Sequence, residues 1–147
     1  MNVPMKIKKL HPDAILPAYA SGGAAGADLH ALADEEGVTV GAGKTVLVHT
    51  GVAVAIPEGY VGLVYARSGM ASKRGLAPAN KVGVIDSDYR GEIMVALHNH
   101  GDTAQTVAAG DRIAQLVIAP VVTAAFEEVD DLDDTVRGAG GFGSTGQ

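Results

Sequence analysis

Five stretches of the 147-residue chain concentrate side chains able to do chemistry. "AGADL" (25–29) sets Asp28 just after a glycine turn. "ARSGMA" (66–71) sets Arg67, Ser68 and Gly69 where an alternating run gives way to a short helical pattern. Free N–H groups and a hydroxyl at such a junction suit an anion. "NKVGVIDSDYRGE" (80–92) gathers Asn80, Asp86, Asp88, Tyr89 and Arg90 in a strand–turn–strand pattern. "GDRIAQL" (110–116) places Gln115 in an otherwise apolar strand. "RGAGGFGSTG" (137–146) combines Arg137, Gly143, Ser144 and Thr145 with one aromatic, Phe142. Singly, each also reads as ordinary structure: turn formers in Asp86-Ser87-Asp88, a cap in Arg67-Ser68, a plain turn at 110–112, a disordered tail. Together they supply carboxylates for a base or a metal, and cations and hydroxyls for phosphates. They also supply two aromatics, one on a terminal arm, where stacking on a base is worth about 1–3 kcal/mol.

Three other patterns carry no chemistry. Gly138, Gly140 and Gly143 match G-x-G-x-x-G by letter. That fingerprint needs a strand before it and a helix after it, and neither is signalled. "GAGKT" (41–45) resembles the end of a P-loop, but the spacing demands glycine at 38, where Val38 stands, so a tight turn is expected. His98 and His100 are expected on one strand face, without a third ligand, and read as structural.

The elements that position these residues are mostly strands. Apolar residues recur with period two in 5–10, 45–56, 60–66, 92–99 and 112–122, separated by turn-forming clusters. Many short strands predict an all-β sandwich, barrel or jelly roll. One short helix is expected over 68–75, capped by Ser68 and ended by Gly75. From about Asp130 the periodicity stops, and an acidic stretch leads into the glycine-rich one.

Composition narrows the function classes. The net charge is −6, yet residues from 127 onward carry −5 of it, with six acids in "EEVDDLDD" (127–134). No basic field exists of the kind that polynucleotide binding uses. With no cysteine, disulfides and thiolate metal sites are unavailable. No apolar run reaches membrane-spanning length. The opening "MNVPMKIKKL" is too polar and short for a signal peptide, so a soluble, cytoplasmic protein without a membrane partner is expected.

Taken in order, "AGADL", "RSGMA", "GVIDSDYRGE", "GDRIAQL" and "RGAGGFGSTG" resemble the five motifs of the trimeric deoxyuridine triphosphatases (dUTPases), over about residues 5 to 146. The resemblance implies an all-β subunit, a distorted jelly roll or β-barrel with one short helix, assembling as a homotrimer. It implies a β domain over 1–129 and a flexible arm over 130–147 that completes a neighbouring subunit's active site. The implied reaction is hydrolysis of dUTP to dUMP and pyrophosphate, with Mg²⁺ assisting water attack on the α-phosphorus. Such an activity limits uracil incorporation into DNA and supplies dUMP for thymidylate synthesis.

The implied roles fall residue by residue. Asp86 matches the general base, and Asp28 the acid that organises Mg²⁺ through its water shell. The ion itself is implied to sit mainly on substrate phosphates and waters. Gln115 matches a contact to phosphate and to that water shell. Arg67, Ser68 and Gly69 match phosphate contacts, as do Arg137, Gly143, Ser144 and Thr145. Asn80 matches the uracil reader, with backbone groups of Gly83, Ile85 and Met94 lining a hairpin pocket. Tyr89 matches the residue under the deoxyribose, and Phe142 the ring that stacks on uracil. The run "LAPA" (76–79) departs from the commoner branched-apolar pattern, and the acidic run is denser than usual. A related family, the deoxycytidine triphosphate deaminases, needs a glutamate where Ala96 stands. A non-catalytic regulator on the same scaffold would not require intact Asp28, Asp86 and Arg137.

Overall fold

The computed structural model describes residues 2–143. Those residues form short antiparallel strands and one helix. In chain order the strands are β1 (Lys6–Lys9), β2 (Ala18–Tyr19), β3 (Ala27–His30), β4 (Val38–Val40), β5 (Thr45–His49), β6 (Val52–Ala55) and β7 (Tyr60–Tyr65). The helix α1 (Ser68–Arg74) follows, then β8 (Leu76–Pro78), β9 (Gly83–Ile85), β10 (Met94–Asn99), β11 (Gln105–Val107) and β12 (Arg112–Pro120).

The five regions of period-two alternation all contain strands. β10 shows why: Val95, Leu97 and Asn99 point inward, while the residues between them face outward. The run over 45–56 splits into β5 and β6 at Gly51, a left-handed corner. β6 has three successive buried residues, because it is packed on both faces. Val121 and Val122, expected to extend β12, are exposed and lie beyond it.

The all-β expectation holds, but the strands do not close into one hydrogen-bonded barrel. They divide into a five-stranded sheet β2-β3-β12-β7-β9, a three-stranded sheet β5-β10-β8, and the pairs β1-β6 and β4-β11. One core joins them, built on Leu29, Val48, Leu76, Leu97, Ile113 and Leu116. Each such side chain contributes about 1.5–3 kcal/mol by leaving water.

Two local expectations change. The helix spans the expected residues and ends at Gly75 in the left-handed conformation (φ 68°). Its N-cap, however, is Arg67 and not Ser68, and no side chain caps it. Ser68 is already helical, so its hydroxyl is left at the surface rather than spent on a backbone amide. Second, "GAGKT" forms the tight turn between β4 and β5, with Lys44 N–H bonded to the Gly41 carbonyl at 3.0 Å.

Asn99 is the buried polar side chain that joins several of these pieces. Its amide nitrogen donates to the carbonyls of Val40 (2.9 Å) and Thr103 (2.8 Å), and its oxygen accepts from Gly101 N–H (2.9 Å). Asn99→Ala strips partners from three backbone groups. The expected loss is about 3 kcal/mol of stability, read as a lower urea midpoint at unchanged slope.

Candidate active site

A cleft of about 330 Å³ opens where the chain passes from β9 to β10. That volume lies at the lower end of the range for small-molecule sites. Asn80, Gly83, Ile85, Asp86, Tyr89 and Met94 all line it. These are the expected base and sugar contacts other than Phe142, together with the expected base, Asp86.

The cleft is not a hairpin pocket. β9 pairs with β7 and β10 pairs with β5 and β8, so the two flanking strands belong to different sheets. The period of a strand tells which residues share a face, not which strand lies alongside. Because β9 and β10 part company, space opens between them.

Asn80 is carried on a turn at the lip. Ala79 N–H bonds the Ala96 carbonyl at 2.8 Å, and Lys81 follows with a positive φ of 66°. Asp86 is exposed just beyond the end of β9, and its carbonyl accepts from Tyr89 N–H at 3.2 Å. The Tyr89 hydroxyl donates to the Glu92 carbonyl at 2.8 Å. Gly91 makes room for this ring: a Cβ there would lie 2.5 Å from the Tyr89 hydroxyl oxygen. Ala96 also lines the cleft, so no acid stands at the deaminase position.

Sequence reasoning missed Glu92. It lines the cleft and accepts hydrogen bonds from His49 Nδ1 (2.9 Å) and Gly51 N–H (2.8 Å). Burial pushes its carboxyl upward, but bonds from His49 and from the Gly51 and Thr50 amides outweigh that and hold it below its usual value. Its only sequence signal is its place beside Tyr89-Arg90-Gly91; its partners are some forty residues away, with a separation of 43 from His49.

A second cluster gathers Asp28, Arg67 and Gln115. Asp28, expected just after a glycine turn, is the second residue of β3, directly after the bend at Gly26, and is 7% exposed. Its carboxylate accepts from Arg67 Nε at 2.7 Å and lies 3.5 Å from an Arg112 nitrogen. Gln115 sits opposite Asp28 in the β3–β12 ladder and opposite Tyr65 in the β12–β7 ladder. Its amide donates to the Ala66 carbonyl at 2.9 Å, so it anchors the chain just before Arg67. Gly26 permits this, since a Cβ would meet the Gln115 amide oxygen at 2.5 Å. Arg67 and Gly69 line a cationic hollow with Lys73, Arg74 and Arg112. Ser68 and Gly69 are exposed at the start of α1.

His30, also missed, follows Asp28 by two residues and so shares its face of β3. Its Nδ1 is buried with no hydrogen-bond partner among the described residues. Burial is the largest influence and lowers its pKa from 6.5; Asp28 opposes this, while Arg112 and Arg67 add to it. A depressed histidine stabilises the fold fully above the unfolded value. Stability falls as the pH drops from 6.5 toward the lowered folded value, because the unfolded chain then binds a proton that the folded chain refuses. Urea midpoints between about pH 7.5 and 5.5 should therefore decline in the wild type, and less steeply in His30→Gln.

The third group is the arm. Residues 121–139, Phe142 and Gly143 are exposed. Arg137 Nε donates to the Gly140 carbonyl at 2.7 Å, and Gly138 N–H bonds Thr135, so these contacts stay within the arm. Phe142 is fully exposed, with a positive φ of 51°. Ser144 and Thr145 lie outside the described residues. None of Asp28, Arg67, Ser68, Gly69 or Gln115 lines the cleft. One chain therefore displays the expected site as three separate parts.

The two histidines set aside as structural remain so. His98 bonds the Thr45 hydroxyl at 3.0 Å, whereas His100 lies past the end of β10, with Nε2 3.0 Å from the Ala71 carbonyl. The expectation that they share a strand face is therefore corrected. Among the described residues no three His, Cys, Asp or Glu side chains are grouped to hold a metal.

A model of the dUTPase family matches residues 12–146. The chain belongs to the dUTPase family. It is 53% identical to the deoxyuridine 5'-triphosphate nucleotidohydrolase of Syntrophotalea carbinolica over 99% of this chain and 98% of that one. Among solved structures it resembles the dUTPase of Staphylococcus bacteriophage 80alpha in complex with dUPNHPP. The TM-score is 0.88 at 30% identity, over 99% of this chain and 100% of that chain. The dUTPase of phage phi11 of S. aureus, described as coordinating a structural Mg(II) ion, matches with a TM-score of 0.80. Its identity is 26%, over 90% of this chain and 100% of that one. With the dUTPase relatives in hand, the all-β fold with one short helix is the family's arrangement rather than a generic sandwich.

Proposed function

We propose that the chain hydrolyses dUTP to dUMP and pyrophosphate. The observation that carries this reading is the cleft, which brings Asn80, Asp86 and Tyr89 together in a chain whose relatives are named for that substrate. A side-chain amide presents a donor and an acceptor side by side, matching the N3–H and O4 edge of uracil. Cytosine offers the reverse pattern, which an amide held in one orientation would leave unpaired. Walls at Gly83, Ile85 and Met94 that close on the base would exclude a thymine methyl. The Tyr89 ring stands beneath the sugar and excludes a 2′-hydroxyl.

Asp86 takes the proton of the attacking water as its oxygen bonds to the α-phosphorus and the bond to the leaving pyrophosphate breaks. Arg67, Ser68 and Gly69 contact the phosphates, as do Arg137, Gly143, Ser144 and Thr145. Phe142 closes over the base. Residues 1–129 form the catalytic β domain, and 130–147 the arm. The three parts of the site lie apart on one chain, which is consistent with their meeting between subunits of a homotrimer, with the arm supplied by a neighbour.

The oxygen donors fit Mg²⁺ in an outer-shell role. Asp28 and Gln115 face each other across one ladder, and the Gln115 amide oxygen is not used in holding Ala66. Magnesium keeps several waters and binds chiefly substrate phosphates, where it neutralises charge as the phosphoryl group transfers. Asp28 and Gln115 would orient those waters. Arg67 would hold Asp28 in place while reaching the phosphates itself. No helix among the described residues is long and apolar enough to cross a membrane, and the proposed setting is the cytoplasm.

Pyrophosphate release from dUTP, dCTP, TTP and UTP, measured side by side, tests the reading. Turnover confined to dUTP supports it. Equal turnover of all four, or ammonia released from dCTP, would sink it.

A further inference from the structure

We infer that Glu92 is a positioning residue that fixes the Tyr89 ring and so sets discrimination between deoxyribo- and ribonucleotides. The inference rests on the dUTP reading above, and it concerns a residue that does not itself reach the reacting atoms.

Glu92 joins two systems. Through its carboxylate it bridges His49 Nδ1 (2.9 Å) and Gly51 N–H (2.8 Å). Through its backbone carbonyl it accepts the Tyr89 hydroxyl (2.8 Å). The next residue strengthens the same junction: Ile93 N–H bonds the Val52 carbonyl at 2.9 Å, and the buried Thr50 hydroxyl donates to the Ile93 carbonyl. Residues 92–93 are thus stitched to the corner between β5 and β6. The loop before them bonds mainly to itself, as in Tyr89 N–H to the Asp86 carbonyl and Arg90 to the Ser87 carbonyl.

The clamp matters because no ladder joins β9 to β10. Strand pairing therefore does not set how far the Tyr89 ring stands from the β10 wall. That distance depends on where the loop is tied down, which is at Glu92. Rejecting one hydroxyl by steric exclusion needs the ring held to within about half an ångström. Gly91 closes the arrangement, since the ring lies so near its Cα that no side chain fits between.

The test compares kcat/KM for dUTP and UTP in the full-length wild type and in Glu92→Ala, Glu92→Gln, His49→Ala and His98→Ala. Glu92→Ala should lower the dUTP-to-UTP ratio about 10-fold, the lower end of what a misfitted pocket forfeits. His49→Ala removes one of the two carboxylate bonds and should lower the ratio by less. Glu92→Gln should recover part of the loss, because its oxygen still accepts from Gly51 N–H. His98→Ala breaks the Thr45 bond in the same strand pair and should leave the ratio unchanged. A purely structural role would lower the melting temperature without moving the ratio. If Glu92→Ala does not fold, His49→Ala and Glu92→Gln decide. Folded variants with the wild-type ratio overturn the inference alone, whereas a wild type that does not hydrolyse dUTP overturns the dUTP reading as well.

Discussion

Asp86→Asn is expected to bind dUTP nearly as the wild type does, while kcat falls by about 10²–10⁴-fold. Asparagine preserves the size and the polar outline of the side chain at the end of β9. What it loses is the capacity to accept the proton of the attacking water. Asp86 is exposed and its backbone carbonyl, not its carboxylate, anchors the turn to Tyr89, so the substitution leaves the loop intact. The cleft is also lined by thirteen other residues, which keep the binding surface. Calorimetric titration with a non-hydrolysable dUTP analogue should give a near-unchanged Kd alongside the collapse in turnover. Near-wild-type turnover would remove Asp86 from the role of base.

Deleting residues 137–147 is expected to abolish turnover and leave the fold intact. The second half of that expectation follows from the exposed arm. Residues 121–136 are all exposed, and the hydrogen bonds of Arg137 and Gly138 stay within the arm. Removing such a segment changes stability by roughly 0.5 kcal/mol or less. The first half follows from what the segment carries: a guanidinium, glycines able to approach phosphates closely, and a ring for the base. The two halves can be separated by measuring the melting temperature and dUTP turnover on the same preparation. A truncated protein with full activity would exclude the arm from the mechanism, and a lowered melting temperature would show that it packs on the β domain.

Much of the fold was legible in sequence. The strands β7, β10 and β12 are six or more residues long, and their alternation exceeds the noise of composition. The helix was legible from its glycine stop at Gly75, because only a residue without Cβ takes the left-handed φ cheaply. Among the strands of two to four residues, β1, β6 and β9 fall within stretches that read as extended, whereas β2 and β3 were not legible: too few residues alternate there to show a period. Asp28 was read as a residue after a turn for that reason.

The candidate site was legible as a set of residues and not as an arrangement. Asn80, Asp86 and Tyr89 lie within ten residues of one another, so their company in the cleft was foreseeable. Ser68 was expected to cap α1, but one residue's difference in where the helix begins leaves its hydroxyl free. Glu92 looked like the start of a strand.

By itself, the sequence determined the chemistry on offer and the faces on which strands present it. It also determined the family, since five motifs in one order identify a lineage more surely than any single motif. The tertiary structure alone decided who meets whom. Asp28 finds Arg67 at a separation of 39 residues and Arg112 at 84, and Glu92 finds His49 at 43. Periodicity reports only local geometry, and it is silent across such distances. Which strands lie side by side is settled by the packing of one shared core. That packing sends β9 and β10 into different sheets and opens the cleft between them.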